Sequence, residues 1–286
     1  MSLPSTLNFI LTHPISSRRP AISLLRYVRW QIESRLRQEI EFNWIEGAKL
    51  IVRNGMAGAT GNIYCGLHEF ADMALLLHLL RPGDLFVDVG ANVGSYTVLA
   101  SAVCGSDAIA VEPDPETMRA LKKNIVANRI GDRVTTIQAA LGSEAGTANF
   151  SIGLDTTNKI VSRKSGATRK VIIRCLDDVM EGLNPTLIKL DVEGHEAEVL
   201  RGGKRTLSNP SLMAIETETS DTIVSKQLVD SGFTRWIYDP HERRFTIYSS
   251  AHIVAHSSNA LFLRDTDTCQ SRVKAAPRRL VFGHLL

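Results

Sequence analysis

The chain has 286 residues, of which 44% are hydrophobic and 22% are charged, and its formal net charge is +3. This composition is typical of a soluble globular protein with one large core, and so small a net charge does not by itself imply a nucleic-acid partner. No apolar run reaches the roughly 18 residues that span a bilayer, and the N-terminal "LNFIL" is too short for a signal peptide. The cysteines form no CxxC pair, which argues against a disulfide framework or a zinc site, so we expect reduced thiols in a cytoplasmic protein. They are Cys65, Cys104, Cys175 and Cys269.

The N-terminal region carries a basic amphipathic pattern. Apolar residues recur every three or four positions between residues 21 and 40, which predicts one face of a helix. Two interpretations stay open: contact with a membrane surface or polyanion, or packing of the helix on the main domain with its arginines in solvent. The second is favoured because core-packed helices are common. The apolar positions are Leu25, Val28, Ile32 and Leu36, and the arginines nearby are Arg18, Arg19, Arg26, Arg29, Arg35 and Arg37.

A second helix is predicted over residues 68–80, and beyond it short apolar runs alternate with helical segments. Near-continuous apolar strands that alternate with helices indicate a parallel sheet covered on both faces. The helix after the second strand has Asp114 as its N-cap, Pro115 in its first turn and Gly131 at its end. The strands of this part are predicted at residues 85–89, 107–112, 134–140, 186–191 and 212–218.

The alternation of strands and helices is interrupted twice in the second half of the chain. Residues 146–176 read as two strands around a polar loop, and the region from residue 235 to 265 reads as three more strands that permit an antiparallel edge. We therefore predict an N-terminal helical extension (residues 1–60), one α/β domain (residues 61–266) and a basic C-terminal tail (residues 267–286).

The stretch "VDVGANVGSYT" turns from a strand through Gly90 and Gly94 into a helix. A dinucleotide fingerprint would read GxGxxG, but Asn92 replaces the middle glycine, so the close approach of a pyrophosphate is not provided for. Asp88 at the strand tip suits a cationic ligand group, and Glu112 at the next tip can accept hydrogen bonds from ribose hydroxyls. A nucleoside that bears an amino acid and no phosphate, such as S-adenosylmethionine, fits this set.

Five segments in this order and spacing, "FVDVGANVGSYT", "AVEPDP", "LKKNIVAN", "AALG" and "LIKLDVEGHEAEVLRG", resemble the FkbM family of S-adenosylmethionine-dependent methyltransferases. The resemblance covers most of residues 61–265. It implies an α/β class I methyltransferase (Rossmann-like) fold, with a seven-stranded, mostly parallel sheet whose last strand is antiparallel. It also implies methyl transfer to a hydroxyl of a natural product or saccharide. By matching position, the cofactor would be bound by Asp88, Gly90, Ala91, Asn92, Gly94, Glu112, Ala139, Ala140 and Asp191.

Candidate catalytic residues follow from "IKLDVEGHE". Lys189 and Asp191 face the same side of a strand and could form an ion pair. If a helix begins just after Asp191, that carboxylate lies one turn from His195 and could orient it as a general base. We hypothesise that His195 or His68 removes the acceptor proton, with Asp191 placing the base or the cofactor. Equal weight goes to the alternative that Asp191 and Glu193 only cap a helix and that His195 is a surface residue.

The acceptor and a metal are less clearly encoded. The segment "IYCGLHEF" precedes the first strand and offers Tyr64 and Glu69 as candidate substrate contacts, and Glu193 and Glu216 are two more. Together with Asp191 and Glu218, these last two acids could also hold magnesium or calcium. We expect no metal, because acidic clusters at strand tips also bind hydroxylated substrates or the amine of the cofactor.

The sequence thus predicts an S-adenosylmethionine-dependent O-methyltransferase with a small-molecule or saccharide acceptor. The alternative is a non-catalytic nucleotide-binding module that docks to a membrane or partner through its basic N-terminal helix. Methylation of a nucleic-acid amine is disfavoured, because the fourth strand ends in "LDVEG" and not in an Asn-Pro-Pro-aromatic run that could hold a flipped base.

Overall fold

A computed structural model describes residues 3–153, 158–161, 167–218, 221–249 and 259–286. Most of the predicted polar loop, and part of the link before the last large strand, lie outside the described residues. The N-terminal part is helical with one antiparallel hairpin, β1 to β2. Its elements are α1 (Leu3–Thr12), a 3₁₀ turn (Ser16–Arg18), α2 (Pro20–Leu36), β1 (Ile40–Asn43), β2 (Lys49–Val52), α3 (Ala57–Cys65) and α4 (Phe70–Leu79).

The orientation of α2 contradicts the favoured prediction. The helix packs on the body of the protein, but through Ser23, Trp30 and Ser34, while the predicted core face points to solvent. Tyr27, next to the buried side, stacks edge-on against Tyr64 at 5.3 Å. The periodicity located the helix correctly but does not say which side meets the body, since one large aromatic flanked by small serines can pack more closely than a row of branched side chains.

The centre of the molecule is an eight-stranded sheet. Alternating strands and helices build its first half, as the sequence predicts, and a smaller four-stranded sheet follows. The elements of this part are β3 (Leu85–Val89), α5 (Ser95–Val98), a π-helical turn (Leu99–Val103), β4 (Asp107–Val111), α6 (Pro115–Asn128), β5 (Val134–Ile137), β6 (Ala140–Leu141), β7 (Gly146–Ser151), β8 (Ile160–Val161) and β9 (Thr168–Arg174).

The second half completes the sheet and adds the tail. The tail is ordered as a helix and a short hairpin, and α11 packs against α4. The elements are α7 (Leu176–Val179), β10 (Leu187–Leu190), α8 (Glu196–Arg201), α9 (Lys204–Leu207), β11 (Ala214–Thr217), α10 (Thr222–Asp230), β12 (Thr234–Asp239), β13 (Arg244–Ile247), β14 (Ala260–Leu263), α11 (Thr266–Ala275), β15 (Leu280–Val281) and β16 (His284–Leu285).

The strand order in the large sheet is β13-β12-β14-β11-β10-β3-β4-β5. Strands β5, β4, β3, β10 and β11 are mutually parallel, and β14 is antiparallel to β11. The class I methyltransferase arrangement with an antiparallel last strand is therefore confirmed. The count is eight rather than seven, because β13 pairs with β12 and extends that edge.

The two faces of the sheet carry separate apolar clusters, because side chains alternate along each strand. Phe86, Leu187 and Ala214 face the cluster that includes α4 and the N-terminal elements, whereas Val87 and Ile188 face the other cluster. Central strands are buried on both sides, as the apolar runs predict. No helix in the described part of the chain is both long and apolar enough to cross a membrane.

The helix α6 shows how local sequence sets an element. Asp114 caps it as predicted, since its carboxylate accepts from the backbone N–H of Glu116 and Thr117 at 2.8 and 3.0 Å. Its end differs from the prediction: Arg129 takes the left-handed conformation (φ 56°) and stops the helix two residues before Gly131. The predicted boundaries of the extension and the tail stay predictions.

Candidate active site

A cavity of about 320 Å³ opens at the carboxyl ends of β3, β4 and β10. This is the edge where open α/β sheets bind ligands, and the volume lies at the lower end of the range for small-molecule sites. Most of the predicted site residues line it. They are His68, Glu69, Asp88, Gly90, Ala91, Asn92, Glu112, Ala139, Ala140, Asp191, Glu193 and His195.

The turn after β3 is shaped by close backbone contacts. Gly90 has φ 82°, and a Cβ placed on it would meet the carbonyl oxygen of Asp191 at 1.9 Å. The N–H groups of Gly90 and Ala91 both donate to the carbonyl of Val111 at 3.0 Å. The turn is therefore held between the ends of β4 and β10, and only glycine fits at its tightest point.

Gly94 has a different role from the one predicted. It is the N-cap residue of α5 with φ 87°, and a Cβ there would lie 2.3 Å from the Leu121 side chain. It does not belong to the cavity lining. Its missing side chain lets α5 pack against α6, so it shapes the turn without contacting the cavity.

Asp88 is buried at the end of β3, where its carboxylate accepts from the N–H and hydroxyl of Thr97 at 3.1 and 2.6 Å. Burial raises the pKa of Asp88 to about 6, against the opposing charge of Lys189 and the bonds from Thr97. The carboxylate is thus fixed in orientation by α5. It offers a cationic ligand group a negative partner that has little water around it.

Glu112 lies beyond the end of β4 and is also buried. One carboxylate oxygen accepts from the N–H of Asn92 at 3.0 Å and the other from the N–H of Asp114 at 2.8 Å. Burial raises the pKa of Glu112 to about 7, although the two N–H donors act in the opposite direction. Both oxygens keep lone pairs that could accept from hydroxyl groups in the cavity.

The predicted ion pair between Lys189 and Asp191 is confirmed, with 2.5 Å between Nζ and the carboxylate. The ammonium also lies 4.5 Å from the ring centre of Tyr96, whose hydroxyl donates to Glu69 at 2.6 Å. Burial acts to lower the pKa of Lys189, but the carboxylates of Asp191, Glu69 and Asp88 outweigh it and raise that pKa. Lys189 therefore stays charged and joins three acids at the floor of the cavity.

A row of charged residues crosses the centre of the sheet. The register of three adjacent strands places Lys189 between Asp88 and Glu216, on the face that meets α4. Glu216 is 0% exposed, and neither of its carboxylate oxygens has a hydrogen-bond partner among the described residues. Burial and the nearby Asp72 carboxylate raise the pKa of Glu216 well above its ordinary value. Glu216, a predicted substrate contact, lies behind the cavity wall and does not line it.

The two candidate bases both line the cavity. His68 packs edge-on against Phe9 at 5.2 Å, and burial lowers its pKa. His195 is half-buried, and burial lowers its pKa as well. Because both pKa values lie below the ordinary value for histidine, both imidazoles are neutral near pH 7 and can accept a proton.

The predicted geometry of Asp191 and His195 is wrong. The helix after β10 begins only at Glu196, with His195 as its N-cap, because Glu193 and Gly194 both have positive φ and form a bend. In the described residues the partner of Asp191 is Lys189 and not His195. The histidine therefore reaches the cavity from the helix start and is not oriented by Asp191.

Tyr64 does not line the cavity, since it is buried against Tyr27 in the contact between α3 and α2. The structure adds lining residues that the sequence analysis did not single out as site residues. No motif spacing identifies them in the sequence, because aromatic and amide residues near a turn have many other uses. Tyr96 could have been suggested by its position directly after the glycine turn. These additions include Tyr96, Thr117, Phe150, Asn158, Ile160 and Asn259.

Three acids gather at one side of the cavity. The carboxylates of Asp191, Glu193 and Glu218 place one oxygen each within 4.8 Å of one another. Burial and the neighbouring Asp191 and Glu193 charges raise the pKa of Glu218 to about 7. Of the four acids considered for a metal, Glu216 is not part of this group. That the protein needs no metal stays a prediction.

The profile of the Methyltransferase FkbM domain matches residues 88–241, more than half of the chain. The chain belongs to the FkbM methyltransferase family. The matched region begins at Asp88 and contains the glycine turn, Glu112 and the segment from Lys189 to His195. The family that the sequence motifs resemble is therefore confirmed.

Curated relatives differ in their acceptors. The chain described here is 32% identical over 181 residues to the 31-O-demethyl-FK506 methyltransferase FkbM of Streptomyces tacrolimicus. This match covers 61% of this chain and 64% of that one. The chain is 30% identical over 145 residues to the hexuronic acid methyltransferase AglP of Haloferax volcanii, which covers 50% of this chain and 59% of that one. The matches thus span less than two thirds of either relative.

Matches among solved structures are more distant. A SAM-dependent O-methyltransferase from Thermotoga maritima is 14% identical, with 74% of this chain and 71% of that chain covered and a TM-score of 0.38. A precorrin-6y C5,15-methyltransferase from Geobacter metallireducens is 14% identical, with 68% and 86% covered and a TM-score of 0.39.

The residues present fit S-adenosylmethionine. Buried Asp88 and Glu112 lie at adjacent strand ends of one cavity, where they suit a cationic group and a pair of ribose hydroxyls. The apolar side chains of Ala139, Ala140 and Leu141 line the same cavity and suit an aromatic base. When bound, the cofactor supplies a methyl group already activated on a sulfonium.

Proposed function

We propose that this FkbM protein methylates a hydroxyl group of a small natural product or saccharide. The observation that carries the proposal is the pair of neutral imidazoles, His68 and His195, in the cavity that holds the cofactor motifs. A hydroxyl must lose its proton as its oxygen is methylated, and a neutral imidazole within reach is a suitable acceptor. The FK506 and hexuronic acid relatives support an oxygen-rich acceptor.

The roles of the chain's own residues follow from their positions. Asp88 and Glu112 bind the cofactor, and the bond from Thr97 keeps Asp88 aimed at the cavity. The Lys189–Asp191 pair neutralises part of the negative charge at the floor of the cavity. Glu69 and Tyr96, already joined by a hydrogen bond, are placed to orient acceptor hydroxyls. One of the two imidazole rings accepts the proton.

The test uses His68→Asn and His195→Asn, with transfer of a labelled methyl group to a panel of hydroxylated acceptors as the assay. Replacing the general base should lower kcat by about 10²- to 10⁴-fold, while cofactor affinity changes little, because neither ring is needed to bind the cofactor. His284→Asn is the matched control, since His284 lies on the C-terminal hairpin outside the cavity lining.

The outcomes separate the assignments. Loss in one variant identifies the base. If both variants keep full turnover on an active acceptor, neither His68 nor His195 serves as the base. If methyl transfer occurs only to amine or carbon acceptors, O-methylation is excluded while the family assignment stands.

A further inference from the structure

The helix α2 presents an apolar stripe to solvent. Leu25, Ile32 and Leu36 have 66%, 56% and 79% of their surface exposed, and Ile22 and Val28 are exposed beside them. Among the described residues no other helix exposes more than two large apolar side chains. Exposed apolar residues that are contiguous mark an interaction site, whereas single ones need no explanation.

The stripe is continuous because its members recur at spacings of three and four. On a helix with 100° per residue they cover about 120° of the circumference, from Val28 to Ile22. The opposite side of α2 is already used, since Ser23, Trp30 and Ser34 are buried against the body. The stripe is therefore not a core face that a small rotation of the helix would bury.

Basic side chains border and interrupt the stripe. Arg29, Arg35 and Arg37 are exposed there, and the ion pair of Arg29 with Glu33 is a surface pair on the same helix. Arg26 lies instead over the Phe282 ring at 3.7 Å and helps to fix α2 to the C-terminal hairpin. Between residues 18 and 37 the chain has six arginines and one acid, Glu33, so this surface is strongly positive.

We infer that α2 is a membrane-surface helix, which lays its apolar stripe into the interface of an anionic lipid bilayer with its arginines at the phosphate level. An apolar face bordered by arginine is the pattern of helices that lie in the plane of the interface. Each arginine near an anionic leaflet adds attraction, and long arginine side chains can reach the headgroups while their stems stay in apolar surroundings. The length of 17 residues and the basic flanks suit a helix that lies on a membrane.

Pairing with a second copy of the chain fits the charges less well. Arg29 lies between Leu36 and Ile22 on the helix circumference, so two stripes packed together would bring two guanidinium groups into an apolar interface. Burying a guanidinium group is costly even when it keeps a partner such as Glu33, because both charges lose their water. At a lipid surface the same side chain meets phosphate.

The experiment is sedimentation of the full chain with vesicles of phosphatidylcholine alone and of phosphatidylcholine mixed with phosphatidylserine. The protein should bind the mixed vesicles, and binding should weaken as salt is raised. Leu25→Glu and Ile32→Glu should each lower the partition coefficient by on the order of tenfold. Arg29→Gln with Arg35→Gln should lower it by about fivefold per charge.

The matched controls lie on α10, which also exposes apolar and basic residues. Ile223→Glu and Lys226→Gln make the same chemical changes away from α2 and should leave binding unchanged. Cofactor binding by every variant shows that the fold is intact. Because the readout is lipid binding, its failure leaves the methyltransferase activity untouched.

Three outcomes would overturn the inference. The first is no binding to mixed vesicles. The second is binding lost with the arginines but not with Leu25→Glu or Ile32→Glu, which indicates contact with the headgroups by charge alone and no insertion of the stripe. The third is a dimer in sedimentation equilibrium without lipid that Leu25→Glu disrupts, which shows that the stripe is covered by a second copy.

Discussion

The pKa values of two acids in the cavity, Asp88 and Glu112, are determined by burial more than by the charges of their neighbours. Asp88 and Glu112 are acids whose pKa values rise to about 6 and about 7, and in each the largest cause is loss of water. Lys189 behaves differently because three acids surround it. The floor of the cavity therefore combines a fixed positive charge with carboxylates that titrate near neutral pH.

Glu112 gives a pH-dependent prediction. In the proposed role of Glu112 a ribose hydroxyl donates to its carboxylate, so binding favours the charged form of Glu112. Cofactor affinity should then rise as pH increases from 6 to 8 through the raised pKa. Glu112→Gln should weaken binding at pH 8 by about 10- to 100-fold and flatten the dependence on pH. Calorimetric titration with S-adenosylhomocysteine at several pH values measures both.

The control for this variant is Glu116→Gln, since Glu116 is an exposed acid in the first turn of α6 outside the cavity. It should leave the profile unchanged. If the affinity of Glu112→Gln for the cofactor still rises with pH as in the unaltered protein, Glu112 does not have the proposed role in ribose binding.

At the scale of elements, the turn from β3 into α5 works because three strand ends meet at one point. Gly90 touches the backbone of Asp191 beyond β10, and its N–H bonds the end of β4. The same contact determines where Asp191 lies relative to Asp88. The turn thus links the cofactor motif to the segment that carries His195.

Gly90→Ala should be strongly destabilising. The new Cβ would overlap a backbone oxygen at 1.9 Å, which no side-chain movement relieves, and φ 82° adds strain. We expect a loss of about 3 kcal/mol or more in the free energy of unfolding, measured with urea.

Gly131→Ala is the matched control. Nothing lies within 4 Å of a Cβ there, so the same substitution should be neutral or slightly stabilising. Equal stability of the two variants would show that the contact of Gly90 with Asp191 is not tight in solution.

Elements also show what the sequence can and cannot predict. Apolar runs located the strands, and Asp88 and Glu112 follow from their places at strand tips, because those signals are local. The bend at Glu193 and Gly194, which separates Asp191 from His195, was not predicted, since no local signal requires a positive φ at Glu193. The sequence also did not predict that the apolar side of α2 faces solvent. Periodicity is a property of the helix itself, whereas burial depends on the elements packed around it.

At the scale of the whole molecule, the N-terminal part shares one core with the α/β domain. Trp30, Leu50 and Val52 are buried in the same cluster as Phe86 of the central sheet. Polar groups cross the same boundary. The side chain of Asn124, fully buried in α6, accepts from the N–H of Ile51 at 2.6 Å.

The boundary predicted at residue 60 can be tested by removing residues 1–60. Removing Trp30, Leu50 and Val52 alone takes away about 1.5 to 3 kcal/mol of stabilising free energy of burial for each side chain. Asn124 also loses a hydrogen-bond partner. That total is comparable with the stability of an ordinary domain, so the shortened chain should show no cooperative thermal transition by circular dichroism. A shorter deletion, residues 1–12, removes a single buried side chain from the described part of the chain, Ile10, and should lower the melting temperature while the transition stays cooperative. If the chain without residues 1–60 instead melts cooperatively and binds cofactor, the α/β domain folds by itself and the N-terminal part is an appendage that can be lost.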